Sequence, residues 1–293
     1  MEYPIIEVKT KDGIVLNGLI SESKKRDKIL INIHGTASNF YEEPLIKELY
    51  TELPKKDISF LSTNNRGNSI LGNSWQRTGS ALEKFEECLI DIDTWIEFCL
   101  NKGYEKIILQ GHSLGTEKIV YYMNKGKYKD KVIFIILLGF SDSYGCEMNF
   151  LGNKKEQFFK EARGLVNSGK SDYLLTIDLK SHAGILPKSA GSFLNQFFKN
   201  SELSNAFTFH KRNLKMFSNI KVPILAIISN NDKYTGKDIV KNGSEHTSIP
   251  LKETCDLLKR ENPRTKLVIL SNTNHDFEGK EKELAKEIIN FLD

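Results

Sequence analysis

The stretch KIILQGHSLGTEKIVYYM, residues 106–123, decides the fold. Its first five residues have the short, apolar character of a buried strand. Gly111-His112-Ser113-Leu114-Gly115 follows at once, and Leu114 to Met123 has a helical pattern. A G-x-S-x-G pentapeptide between a strand and a helix makes a sharp turn that lifts a serine side chain above the sheet. The glycines prevent collisions at the crowded bend. The helix start offers unpaired N–H groups and a positive dipole end to a developing negative charge. Ser113 is therefore the candidate nucleophile. His112 lies inside the bend, its side chain must point away from the serine hydroxyl, and it is read as structural.

Outward from this segment, strand-like runs alternate with helical ones. IIEVKT (5–10) and IVLNGLI (14–20) flank Asp12-Gly13, a hairpin turn signal. KILINIH (28–34), ISFLST (58–63), KIILQ (106–110), KVIFIILLGF (131–140), PILAIIS (223–229) and KLVILS (266–271) complete a set of eight strands. Residues 42–52 read as a helix, as do segments near 250–260 and 280–292. The clearest helix is predicted over 82–100, where Leu82, Phe85, Leu89, Ile92, Ile96 and Cys99 form one apolar stripe. Fully apolar strands alternating with helices imply a mostly parallel sheet covered on both faces, with an antiparallel edge from the opening hairpin. The stretch 141–217 breaks the alternation and holds nine of the 17 phenylalanines. Helical spacing at 154–167 and 189–199 predicts a helical lid inserted between two parts of an α/β core, 1–140 and 218–293.

Composition narrows the partners. The chain has 293 residues, 39% hydrophobic and 27% charged, with a net charge of +4. That is ordinary for a soluble globular protein. KKRDK at 24–28 reads as a solvated turn, no basic cluster is interleaved with aromatics, and no nucleic-acid partner is expected. No apolar run approaches the ~18 residues of a membrane span, so no membrane partner is expected either. MEYPIIEVKTKDG lacks the apolar core and cleavage site of a secretory leader. Cys88, Cys99, Cys146 and Cys255 are scattered, which suggests free thiols in a reducing cytoplasm rather than disulfides or a zinc site. No metal and no organic cofactor is implied, and the oligomeric state is not legible.

A serine hydroxyl needs a base to remove its proton as it attacks. The base and its acid partner should follow the serine in the chain order Ser, acid, His. Of six histidines, His275 in SNTNHDFEG lies just after the last strand, at the same sheet edge as Ser113. Asp232, after the seventh strand in PILAIISNND, is the acid that would orient it. Asp142, after the sixth strand, is the competitor, and Asp238 is a weaker one. Asp276 adjoins the base and would point elsewhere. His34 precedes the loop HGTASN, His182 and His210 sit in the lid, and His246 lies between the last two strands. Only His210 among these is placed to touch substrate. The oxyanion donors are assigned to the backbone N–H groups of Thr36 and Leu114, with Ala37 the alternative to Thr36. Arg66 in NNRGN reads as a tie between loops. Phe193, Phe197 and His210 are the candidate substrate contacts, since Phe supplies buried area without hydrogen bonds.

With HGTASN, NNRGN, GHSLG, SNND and NHDFEG in this order and spacing, the chain resembles the α/β-hydrolase superfamily over essentially its whole length. The HGTASN loop and the lid are similar to small carboxylesterases and to a siderophore-esterase-like branch. A serine rather than an aspartate nucleophile argues against the haloalkane dehalogenase and epoxide hydrolase types. The resemblance implies cleavage of a small-molecule carboxylic ester through an acyl-enzyme. Thioesterase, acyltransferase and peptidase chemistry use the same triad, and a catalytically silent binder could reuse the pocket.

Overall fold

The central strand runs, 28–33, 58–63, 106–112, 132–138 and 224–229, meet their prediction closely because nearly every residue in them is covered, on both faces of the sheet. The computed structural model describes residues 4–72, 75–176, 186–235 and 249–293. Its strands are β1 (Ile5–Lys9), β2 (Val15–Ser21), β3 (Lys28–Ile33), β4 (Ile58–Thr63), β5 (Lys106–His112), β6 (Val132–Leu138), β7 (Ile224–Ser229) and β8 (Thr265–Leu270). They form one sheet in the order β1-β2-β4-β3-β5-β6-β7-β8. β1 pairs antiparallel with β2, and β2 antiparallel with β4. All other pairings are parallel. The parallel register aligns the ends that matter: Ile33 faces Gly111, His112 faces Leu138, and Ser229 faces Leu270.

The main helices are α1 (Pro44–Glu52), α2 (Cys88–Asn101) and α3 (Leu114–Lys125), and others follow in the insertion and at the C-terminus. In the insertion lie α4 (Ser143–Leu151), α5 (Lys155–Asn167), α6 (Ala190–Phe197), α7 (Leu203–Ala206) and α8 (Lys215–Ser218). The last two helices are α9 (Leu251–Glu261) and α10 (Glu281–Leu292). Alternation along β3 sorts the core. Ile29, Ile31 and Ile33 pack with residues of α2, α3 and α9 on one face. Leu30 packs with α1 and α10 on the other. None of the described helices is long and apolar enough to cross a membrane.

Two sequence expectations change. The helix predicted from residue 82 begins at Cys88, after a 3₁₀ turn over Phe85–Glu87. Lys84 is extended (φ −99°, ψ 136°), and the N–H groups of Leu82 and Glu83 both donate to the Gly79 carbonyl, which closes a separate turn. The aromatic-rich insertion also serves two cores. Phe158, Phe159, Phe193 and Phe197 pack together with Phe85, Leu114 and Tyr121. Phe207, Phe209 and Phe217 instead join the core beneath the sheet, where Phe207 sits 4.5 Å from Phe209 and 5.3 Å from Phe217, ring to ring.

Charged groups tie the loops beneath the sheet's upper edge. Arg66 is buried and donates to Asp91 at 2.8 Å and to Asp12 at 2.8 Å, as its reading as a loop tie expects. Lys118, fully buried on α3, is ion-paired to the equally buried Glu83 and donates to Asn65 Oδ1 at 3.0 Å. Removing one member of such a pair strands a charge without water. Lys118→Met is expected to lower stability by about 3–5 kcal/mol, read from urea unfolding. Lys118→Met combined with Glu83→Gln should regain more than half of that loss.

Candidate active site

The bend after β5 is strained by backbone contact. Ser113 has φ 53° and ψ −125°, a conformation a non-glycine residue holds only when its surroundings impose it. Its N–H donates to the Leu138 carbonyl at 3.0 Å, and its carbonyl accepts from Thr116 N at 2.8 Å. A Cβ on Gly111 would come within 2.5 Å of the Gly115 backbone. The pentapeptide glycines are thus required by backbone packed on backbone.

Asp232 and His275 meet because β7 and β8 are neighbours. Asp232 Oδ2 accepts from His275 Nδ1 at 2.7 Å. Its Oδ1 accepts the N–H groups of Tyr234 at 2.8 Å and Thr235 at 3.0 Å, so the carboxylate cannot rotate freely. Both residues are buried. A carboxylate only accepts, so Nδ1 carries the proton and Nε2 is left as a lone-pair acceptor. His275 Nε2 is buried and has no hydrogen-bond partner among the described residues. His275 and Ser113 border the same cavity of about 270 Å³. Gly139, at φ 52° after β6, lets His275 reach this place: a Cβ there would lie 3.1 Å from His275 Cε1.

The loop after β3 forms the opposite wall. Gly35, Thr36 and Leu114 line the cavity, whereas Ala37 does not. Leu114 is the first residue of α3, where helix N–H groups have no partner within the helix. The N–H groups of Thr36 and Leu114 enter none of the turn, loop or cap bonds among the described residues. His34 braces this loop as a neutral ring. Its Nδ1 donates to the Gly35 carbonyl at 2.7 Å and its Nε2 accepts from Asn65 N at 3.1 Å. Burial pulls His34 down to about 4, which fits that tautomer.

The competing acid is engaged elsewhere. Asp142 Oδ1 caps α4 through Gly145 N at 2.7 Å, and its Oδ2 accepts from His210 Nδ1 at 2.7 Å. This also corrects the place of His210: it pairs with Asp142, lies 5.0 Å from Tyr144, ring to ring, and is not a cavity residue. Phe193 is likewise displaced, buried 5.1 Å from Phe159 and 5.5 Å from Phe197, ring to ring. Of the three proposed contacts only Phe197 lines the cavity. For Phe193 the reason lies in α6, whose apolar face packs mostly against α5 and the body and reaches the cavity at its end, Phe197. Asp238, His182 and His246 lie outside the described residues.

Several wall residues carried no sequence signal. Cys146 and Glu147 come from α4, Leu186 and Lys188 from the segment before α6, Gln196 from α6, and Lys233 and Tyr234 from the loop after β7. Lys188 Nζ donates to the Ser80 carbonyl and to Gln196 Oε1, both at 2.9 Å. Burial pushes Glu147 up to about 7 and pulls Lys188 down to about 8. These residues come from four separate segments, in no motif, and meet only through tertiary packing.

The arrangement holds a hydroxyl on a strained bend, an imidazole with a free acceptor nitrogen, a carboxylate fixing that imidazole, and backbone donors across the cavity. Solved structures share the fold that carries it. Est1E from Butyrivibrio proteoclasticus aligns with a TM-score of 0.62 and 14% identity, over 99% of this chain and 97% of that one. An esterase of Pyrococcus furiosus, Pf2001, aligns with a TM-score of 0.59 and 17% identity, over 99% and 92%. The monoacylglycerol lipase of Paleococcus ferrophilus gives 0.59 and 17%, over 94% and 98%. The fold is that of the α/β hydrolases. No curated protein matches the sequence. A family model described as a protein of unknown function, DUF1749, matches residues 14–292, nearly the whole chain. The chain therefore belongs to the DUF1749 family.

Proposed function

We propose that this chain is a serine hydrolase that cleaves a carboxylic ester of a small molecule. The observation that carries the proposal is the Asp232–His275 hydrogen bond of 2.7 Å, which leaves the buried Nε2 of His275 as an acceptor on the cavity that Ser113 also borders. Ser113 Oγ attacks the ester carbonyl while His275 Nε2 takes its proton. Asp232 stabilises the imidazolium that forms. The N–H groups of Thr36 and Leu114 receive the oxyanion, each worth on the order of 3 kcal/mol in the transition state. His275 then protonates the departing alcohol. Water, activated by the same ring, releases the acid from the acyl-enzyme and restores Ser113.

The names of the structural neighbours point the same way, since they are esterases and a lipase. Est1E is also known with ferulic acid bound. An ester with an aromatic or apolar acyl portion suits a wall that includes Phe197, Leu186, Cys146 and Leu114. The insertion acts as the lid over that portion. Four buried free thiols suit a reducing compartment, and we assign the protein to the cytoplasm.

An ester panel of graded acyl length, run on the wild type and on Ser113→Ala, tests the assignment. Ser113→Ala is expected to lower kcat by about 10³-fold or more with unfolding unchanged, and a fluorophosphonate should label the wild type at Ser113 alone. Equal turnover by the two proteins would end the proposal. Asp232→Asn should lower kcat by at least about 10²-fold, whereas Asp142→Asn should change it by less than about threefold. The reverse ranking would move the acid to the loop after β6. Phe197→Ala should raise KM for aromatic acyl esters by roughly tenfold, with little change for an acetyl ester.

A further inference from the structure

His112 belongs to the bend but its side chain is bound to the base rather than idle. Its Nε2 lies 3.0 Å from the backbone carbonyl oxygen of His275. Its Nδ1 lies 3.4 Å from Glu43 Oε1, on the residue before α1. The two imidazole rings stand 4.9 Å apart, inclined at 40°. A carbonyl and a carboxylate oxygen both accept only, whereas a neutral imidazole has a single N–H. Both contacts are satisfied together only when both ring nitrogens carry protons.

We propose that His112 is a positioning residue: held as an imidazolium by Glu43, it pins the loop of His275 to the bend that carries Ser113. The inference rests on the roles proposed for Ser113 and His275. When His112 loses a proton, the one remaining N–H goes to the carboxylate, and a ring lone pair then faces the His275 carbonyl. The pin is lost and the base drifts from the hydroxyl. Displacements of about 1 Å at a reacting pair lower rates on the order of 10²-fold.

The groups around the pair are few. Asp276 Oδ1 stands 3.9 Å from Nε2. Behind Glu43 lies His34, neutral through burial, and Ser38 donates to Glu43 at 3.2 Å. His275 itself is backed by Asp232, and Lys233 borders the cavity beyond it. The Phe277 ring, 6.3 Å away, closes the apolar side. Burial opposes charge on His112, but Glu43 overrides it and raises the ring to about 9. A raised value places the working state below that pH and its loss above.

The test is the pH profile of kcat and KM for a neutral ester between about pH 6 and pH 10, with spontaneous hydrolysis subtracted. The wild type should lose kcat on the alkaline side with a midpoint near 9. Glu43→Gln should move that midpoint down by at least about one unit, whereas a limb arising from Glu147 or Lys188 would not follow Glu43. His112→Gln, which keeps a donor and does not titrate, should abolish the alkaline limb. His112→Leu should lower kcat by roughly 10²-fold at unchanged KM. Ring nitrogen NMR on Ser113→Ala near neutral pH should show both His112 nitrogens protonated, a readout independent of activity. A singly protonated His112, or an alkaline midpoint unmoved by Glu43→Gln, overturns the proposal. If Ser113→Ala hydrolysed the ester as fast as the wild type, the assignment of the nucleophile would fall instead.

Discussion

Backbone pressed against backbone at the end of β5 is the constraint on which the site depends. Gly111 has no room for a Cβ against the backbone of Gly115, and Gly115 has none against the carbonyls of Ile33 and His34. That contact fixes Ser113 at φ 53° and ψ −125° and aims its side chain away from the sheet. The strain is held by the surrounding core, not by the pentapeptide alone. β3 and β6 flank the bend, and the Leu138 carbonyl accepts the Ser113 N–H. Relaxing the bend would require breaking hydrogen bonds at the centre of the sheet.

The sheet order then assembles the remaining groups. β7 and β8 are parallel neighbours, so the loops after them leave the same edge and Asp232 meets His275, 43 positions further along the chain. β6 lies between the serine and this pair, and His275 packs across its end, where Gly139 offers no side chain. On the other side, His34 holds the loop after β3 with two hydrogen bonds as a neutral ring. Three histidines thus work in three states set by surroundings. His34 is neutral between a carbonyl and an N–H, His275 is oriented by a carboxylate, and His112 sits between two acceptors.

The insertion contributes less aromatic surface to the cavity than its composition suggests. Most of its phenylalanines anchor helices to one another or to the body, and the cavity instead receives a mixed wall in which Lys188, Glu147 and Gln196 stand beside Phe197. Anchoring and recognition are different demands on the same residue type. A short helix such as α6 has one apolar face, and most of that face is consumed by packing.

The sequence by itself determined the eight strands, the bend at Ser113, and the two loops after strands that carry Asp232 and His275. Each of these is encoded locally, by apolar runs of strand length, paired glycines and polar segments directly after strands. The start of the helix at Cys88 was not legible, because turn bonds to the Gly79 carbonyl and the buried Glu83–Lys118 pair override an unbroken apolar stripe. The tertiary structure alone shows which aspartate meets His275: Asp232 and Asp142 both follow strands at the same edge, and Asp232 is the one that bonds the imidazole. Asp142 is engaged by His210 and the start of α4, and no local pattern announces that. It alone also placed Phe193 in packing, Phe197 at the cavity and His112 against His275. The physical reason is that strand and turn preferences act over a few residues, whereas the choice of partner for a buried polar group depends on which elements the sheet order brings within hydrogen-bond reach.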